Sequence, residues 1–395
     1  MPGRKKEKII NKVLRESLPI LLLTVLGEAF AGSILGKMES AILLVPGVFV
    51  LIPAILDLRG DVGASFGSRM SSMLHIGLIP PKFKKSSLLL NNIAGSFSLS
   101  FSFSAFFGIL AHFLCLVFHL PSAGITRLTL IGLMSGIISS LFMVPLTLFL
   151  SIFTFRRGID PDNVISPAIA VFGDAVAMSA IFLSTILIRK WPIPDMGIYI
   201  VLLLIAKESF PSRYKFYKIF AESSPIILIC GFLGIFSGLF LHYHESSFSS
   251  APYLLVLVPQ IIALGGSIGS IAGMRFTSSL YIGRFKPFQW NNYVSKNLFS
   301  AILLSFAIFI PVALVSYLSA RILSIGHPNF LFILLITAIT LIPLSIAVSI
   351  ISYFLACGSM KAHLDPSNVV VPLITSIGDV SGVFLFLSLL HLFKI

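Results

Sequence analysis

Charge is scarce in this chain. Only 11% of its 395 residues are Asp, Glu, Lys or Arg, and the acids number 15 against 28 basic residues. With 56% hydrophobic residues and a mean hydropathy of +1.01, the chain carries more apolar surface than a soluble fold of this length can bury, which excludes a water-soluble domain. Cysteine is scarcer still. Cys115, Cys230 and Cys357 lie far apart with no C-x-x-C spacing, so they read as small core residues. Long polar connections are also missing, which leaves no room for a soluble domain of useful size. The net charge of +13 is dispersed over short loops instead of forming one basic face, so no nucleic-acid partner is expected.

What is present is a series of apolar runs, and the fold class expected is an all-α polytopic membrane protein. A basic cytoplasmic tail, 1–17, precedes the first run, and no small-residue cleavage signal follows that run, so the first span is read as retained. The runs cover about 18–36, 41–77, 88–118, 126–153 and 163–188, then 224–241, 252–283, 298–319, 329–356 and 368–392. The domains expected are a first membrane repeat at 18–190, a connecting helix and cytoplasmic loop at 191–218, and a second repeat at 219–395.

The duplication is read from residues that punctuate a backbone. At an offset of 206, Pro19, Gly32, Pro46, Pro53, Gly60, Gly63, Arg69 and Gly77 return as Pro225, Gly238, Pro252, Pro259, Gly266, Gly269, Arg275 and Gly283. A fixed period over so many prolines and glycines marks an internal repeat. Two five-span repeats joined directly would be inverted, but the run within 191–206 is just long enough to cross. Charge decides. If it crosses and the N-terminus is cytoplasmic, the clusters Arg4-Lys5-Lys6, Lys82 to Lys85, Arg156-Arg157 and Arg213 to Lys218 all lie inside. The outer side then keeps only Lys37, Arg127, Arg189, Lys190, Arg321 and Lys394. The positive-inside rule favours that arrangement. The expectation is about eleven spans in parallel repeats, a multi-pass cell-membrane protein with the N-terminus cytoplasmic and the C-terminus outside.

The few acids within the apolar runs are the candidates for chemistry. The fifth run opens Asp160-Pro161-Asp162-Asn163-Val164, continues through Pro167 and reaches Gly173-Asp174. The same pattern returns as Asp365-Pro366-Ser367-Asn368-Val369, Pro372 and Gly378-Asp379, at an offset of 205. At about 1.5 Å per residue, each acid lies roughly 17 Å beyond its Asn, near the middle of a bilayer core. A carboxylate there costs about 2.5–3.5 kcal/mol to insert, so it needs a partner, water or a cation. If a cation answers them, two carboxylates suit a hard ion that takes oxygen ligands. A softer metal would call for His or Cys nearby, and neither stands in the fifth runs. The second run turns polar at Asp57-Leu58-Arg59-Gly60-Asp61, and its counterpart reads Ala263-Leu264-Gly265-Gly266-Ser267. That stretch is either a close-packed helix end or a path lining, with Arg69 and Arg275 reaching the interface. Glu28, whose repeat counterpart is Gly234, either couples protons or sodium or bonds a neighbouring backbone. His242-x-His244-Glu245 reads as an outer loop.

Taken together, Pro53-x6-Gly60-Asp61-x6-Ser68-Arg69-Met70-Ser71 and the later Asp-Pro-x-Asn-Val-x2-Pro-x6-Asp resemble the membrane domain of MgtE-type magnesium transporters in its two-repeat, solute-carrier-like form. The resemblance covers nearly the whole chain, once per half. It implies two parallel five-span units around one pore, a hydrated magnesium ion held by Asp174 and Asp379, and further lining from Ser166, Ala170, Val371 and Thr375, with Asp57, Asp61 and Ser267 as additional candidates. The family's usual Asn at the positions of Asp61 and Ser267 is absent. Magnesium or another divalent cation is then the cargo, the bilayer is the other partner, no cofactor is expected, and a monomer with pseudo-twofold symmetry suffices. A membrane-embedded metal-dependent lipid enzyme and an ion-coupled organic-solute transporter remain as alternatives; the echo of the acid in both halves speaks against the enzyme.

Overall fold

The computed structural model describes residues 9–42, 45–75, 77–83, 86–157, 161–190, 216–244, 248, 251–281, 283–362 and 366–393. These form ten long α-helices and one short 3-10 turn, with no strand among the described residues. In chain order they are α1 (Ile9–Ile42), α2 (Val48–His75), α3 (Ser87–Val117), α4 (Ile125–Arg156), α5 (Pro161–Lys190), α6 (Phe216–Tyr243), the 3-10 turn η1 (Pro252–Val256), α7 (Leu257–Tyr281), α8 (Asn292–Ile322), α9 (Phe330–Lys361) and α10 (Pro366–Leu392). Nine are long and apolar enough to cross a membrane; α2 falls short because of its polar second half. The chain is an all-α polytopic membrane protein of two five-helix repeats. The run at 191–206 lies outside the described residues.

Hydrocarbon offers a backbone no hydrogen bonds, so continuous helices are what such runs can form. Each end has a local cause. Ser86 caps α3 by accepting from Leu89 N at 3.1 Å, and Asn291 and Asn329 cap α8 and α9 in the same way. Gly47, at φ +92°, makes the turn between α1 and α2 that an L side chain resists. Serines and threonines inside the helices return their hydroxyls to carbonyls one turn back, as Ser139 does to Ser135 and Thr340 to Ile336.

The helices gather into two compact units that do not coincide with the sequence repeats. One unit is Met38–Tyr243, and the other combines Met1–Lys37 with His244–Ile395. The first helix of each repeat is therefore found among the helices of the opposite repeat. In the α2–α6 unit, α2 is central and packs on α3, α4, α5 and α6. In the α7–α10 unit, α7 is central and packs on α8, α9 and α10. Its window Pro252–Thr277 is 83% buried inside the protein, whereas the other membrane-length windows are 39–50% buried, which leaves their outer faces for lipid. Phe113, Phe142, Leu331 and Phe354 lie exposed on such faces.

The two crossings of the exchanged helices are built alike. Gly238 of α6 lies against the carbonyl of Val50, and Gly32 of α1 lies against the carbonyl of Val256, the repeat counterpart of Val50. Gly63 on Ile169 is matched by Gly269 on Ile374. Inside a membrane such close backbone approach is the main source of helix association. Gly108, inside the continuous helix α3, meets the Leu128–Thr129 backbone of α4 in the same way. Gly238→Val and Gly32→Val should each cost about 1–3 kcal/mol through overpacking. Gly60→Ala meets nothing within 4 Å and should be neutral or stabilising. Thermal unfolding of the detergent-solubilised protein, followed by loss of monodispersity, checks all three.

Candidate functional site

Asp174 and Asp379 each stand thirteen residues into α5 and α10, on the stretch of helix that faces α2 or α7. Their surroundings differ. In the α2–α6 unit the Arg59 side chain leaves α2, passes over Gly173 and ends in an ion pair with Asp174. Its Nη1 donates to the carbonyl of Ile169 at 2.8 Å. The two charged side chains are 8% and 14% exposed. Only a glycine at 173 leaves room for the guanidinium, because a Cβ there would overlap it.

In the α7–α10 unit the counterpart of Arg59 is Gly265, where the space a side chain would take is filled by Leu344 of α9. The backbones of Gly265 and Gly266 meet Gly378 directly, and a Cβ on Gly266 would lie 3.2 Å from the Cα of Thr375. Asp379 is 6% exposed. The corresponding Gly60 of α2 faces open space. Arg59 thus holds α2 off α5 where α7 and α10 touch. Pro372, inside α10, cannot donate to the carbonyl one turn back, and the Thr375 hydroxyl donates to the carbonyls of Val371 and Pro372 at 3.2 and 2.8 Å. The carbonyl that Pro372 leaves without its helical donor is that of Asn368, near the start of α10. Ser166 and Ala170 lie in α5, but their side chains are outside the described residues, as are Asp160 and Asp365 at the helix entries.

Asp57 and Asp61 leave α2 on the side of α6, away from Asp174. Asp57 lies beside Gly234, and the Cys230 thiol hydrogen-bonds to Asp61. Glu28, fully buried, is the repeat counterpart of Gly234, while Ala263 is the counterpart of Asp57. Each crossing of an exchanged helix therefore carries one acid at this level, from the central helix in one unit and from the exchanged helix in the other. Ser267 is half-buried.

Arg69 does not simply reach for the interface. Its Nε donates to Asn92 Oδ1 at 3.0 Å, and Arg275 repeats the bond to Asn297 Oδ1 at 2.8 Å. These pairs tie the polar end of each central helix to α3 or α8, because an arginine short of the interface must find acceptors within the protein. His242 is buried in the last turn of α6 and bonds the Pro121 carbonyl at 2.9 Å, so it is a packing residue instead of part of an outer loop. No group of three or more His, Cys, Asp or Glu side chains that could hold a metal ion occurs among the described residues.

The family model for the divalent cation transporter MgtE matches residues 52–184 and again 258–389. The chain belongs to the MgtE family. Both MgtE matches begin within a central helix and end beyond the fifth-helix acid, so each holds one acid and the helix that faces it. Curated relatives are solute carrier family 41 member 2 of Macaca fascicularis, 22% identical over 97% of this chain and 72% of that protein, and the same member in Gallus gallus, 24% identical over 94% and 70%. Solute carrier family 41 member 3 of Rattus norvegicus is 22% identical over 96% of this chain and 87% of that protein. No solved structure matches.

The MgtE acid in the first half is thus paired, and its removal leaves a buried guanidinium without its counter-charge. Breaking one side of such a pair costs about 3–5 kcal/mol. Asp174→Asn should lower thermal stability accordingly, and Arg59→Gln added to it should recover most of the loss. A thermal-unfolding double-mutant cycle reads the coupling directly.

Proposed function

We propose that this MgtE protein carries magnesium, as a hydrated divalent cation, across the membrane, with Asp174 and Asp379 as the acids that hold the ion. The observation that carries the reading is the repetition of one largely buried aspartate, halfway along an apolar helix that packs on the central helix, in both halves of a chain of the MgtE family. Magnesium gives up water reluctantly, so a site of few carboxylates with carbonyls can select it through its water shell. Beside Asp174 the Ile169 carbonyl, which accepts from Arg59, is an oxygen of that kind. On this reading the repeats lie parallel, a single chain is the working unit, and the N-terminus is cytoplasmic with the C-terminus outside.

The charge on the ion supplies the drive. Moving a divalent cation inward gains about 4.6 kcal/mol per 100 mV, so passive flux needs no other source. Proteoliposomes of the purified chain should take up magnesium faster as the inside is made more negative, and Asp379→Asn should cut uptake at least about tenfold, the effect of losing roughly 1.4 kcal/mol of ion stabilisation. Uptake that ignores the potential but needs an opposing sodium gradient would replace passive flux with exchange. Parent-rate uptake by folded Asp379→Asn and Asp174→Asn proteins overturns the acid reading.

A further inference from the structure

At Arg59 the two halves differ in kind beside the acid. A cation of the protein's own sits on the first-half carboxylate, and its counterpart in the other half is Gly265, next to the Gly266 that is in backbone contact with α10. Its ligands are a carboxylate oxygen and a main-chain carbonyl, Ile169 O, the same oxygen types a hydrated divalent ion would take up. The hold is incomplete. An arginine that clamps a carboxylate firmly offers two parallel N–H groups to its two oxygens. Here Nη2 goes to Asp174, Nη1 goes to the carbonyl, and the buried Nε has no hydrogen-bond partner. An unsatisfied buried donor weakens the bound state. The side chain also keeps α2 from closing on α5, since Gly60 faces open space where Gly266 touches Thr375.

We infer that Arg59 is a tethered competitor for the transported cation at Asp174: the ion reaches this carboxylate only when the guanidinium withdraws, and Arg59 thereby sets the concentration at which the transporter fills. The inference rests on the reading of Asp174 as an ion-holding acid. One carboxylate cannot serve a guanidinium and a divalent ion together, because the two cations would repel at contact distance in a poorly screened setting. The apparent affinity is then the intrinsic affinity multiplied by the fraction of molecules in which Arg59 has let go. Gly173 belongs to the device, since it makes the path the guanidinium follows.

The test is the magnesium concentration for half-maximal uptake in proteoliposomes at fixed potential, for the parent and for Arg59→Gln, Arg59→Lys, Gly173→Ala, Asp174→Asn and Asp379→Asn. Arg59→Gln should lower that concentration by about tenfold or more, and Arg59→Lys, which keeps the charge but loses the planar fork, should fall between it and the parent. Gly173→Ala keeps every charge and displaces the guanidinium, so it should shift the value in the same direction, which separates competition at Asp174 from a general change in charge. Should Gly173→Ala not fold, the order of the two Arg59 variants decides. A folded Arg59→Gln protein within twofold of the parent, or one that no longer transports, overturns the inference, as does an unmoved or raised value in folded Gly173→Ala. If Asp379→Asn abolishes uptake while Arg59→Gln matches the parent, the acid reading stands and only the competitor is lost. If Asp379→Asn and Asp174→Asn both transport at the parent rate, the acid reading itself has failed.

Discussion

A charge inside a helical bundle in hydrocarbon has to be answered within the protein, because neither lipid nor bulk water will do it. That constraint orders what is seen around α2 and α7. Arg59 is answered by Asp174 and the Ile169 carbonyl, Arg69 by Asn92, and Arg275 by Asn297. Each of these partners stands on a different helix from the arginine it serves, while Arg69 also bonds Ser65 on its own helix, so charge satisfaction helps fix how the helices pack around the central one. Shape does the rest. The crossings of α6 on α2 and of α1 on η1 are glycine against carbonyl, which brings backbones close enough for dispersion to hold them without hydrophobic drive.

The duplication lets the same constraint be met in two ways. In the α7–α10 unit, Gly265, Gly266 and Gly378 bring two backbones together, and Asp379 follows immediately. In the α2–α6 unit a long cation replaces one of those glycines and needs the acid, the carbonyl and a bare Gly173 to be accommodated. A similar exchange happens at the other side of the central helices, where Asp57 beside Gly234 corresponds to Ala263 and Glu28. The level of the acid is kept while the helix that carries it changes.

Much of the fold was legible because hydropathy and caps act locally. The runs at 88–118, 126–153 and 368–392 are the helices Ser87–Val117, Ile125–Arg156 and Pro366–Leu392 within a few residues, and the offset of 206 paired Gly32 with Gly238, the two glycines that meet the equivalent carbonyls of Val256 and Val50. α1 starts earlier than its apolar run, at Ile9, since the charged turn ahead of Leu18 consists of good helix formers. The grouping of α1 with the second repeat was not legible, because a periodic sequence states which face of a helix is apolar but not which copy of its partner covers it. His242 was misplaced for a related reason: a polar residue at a helix end looks solvated until the Pro121 carbonyl is found above it.

The acids were legible by repetition and their difference was not, although the signal stood in the same comparison. Asp57 and Asp61 drew attention as acids that become Ala263 and Ser267, while the arginine between them becomes Gly265. An arginine at a position where the duplicate holds a glycine has lost a backbone contact and must occupy that space with a side chain of its own. With a second glycine, Gly173, immediately before the facing acid, the guanidinium has both a channel to lie in and a charge to reach. Read that way, the pairing of Arg59 with Asp174 follows from steric complementarity between two duplicated helices, and the asymmetry of the two acids is a consequence of one glycine position carrying the longest cation available.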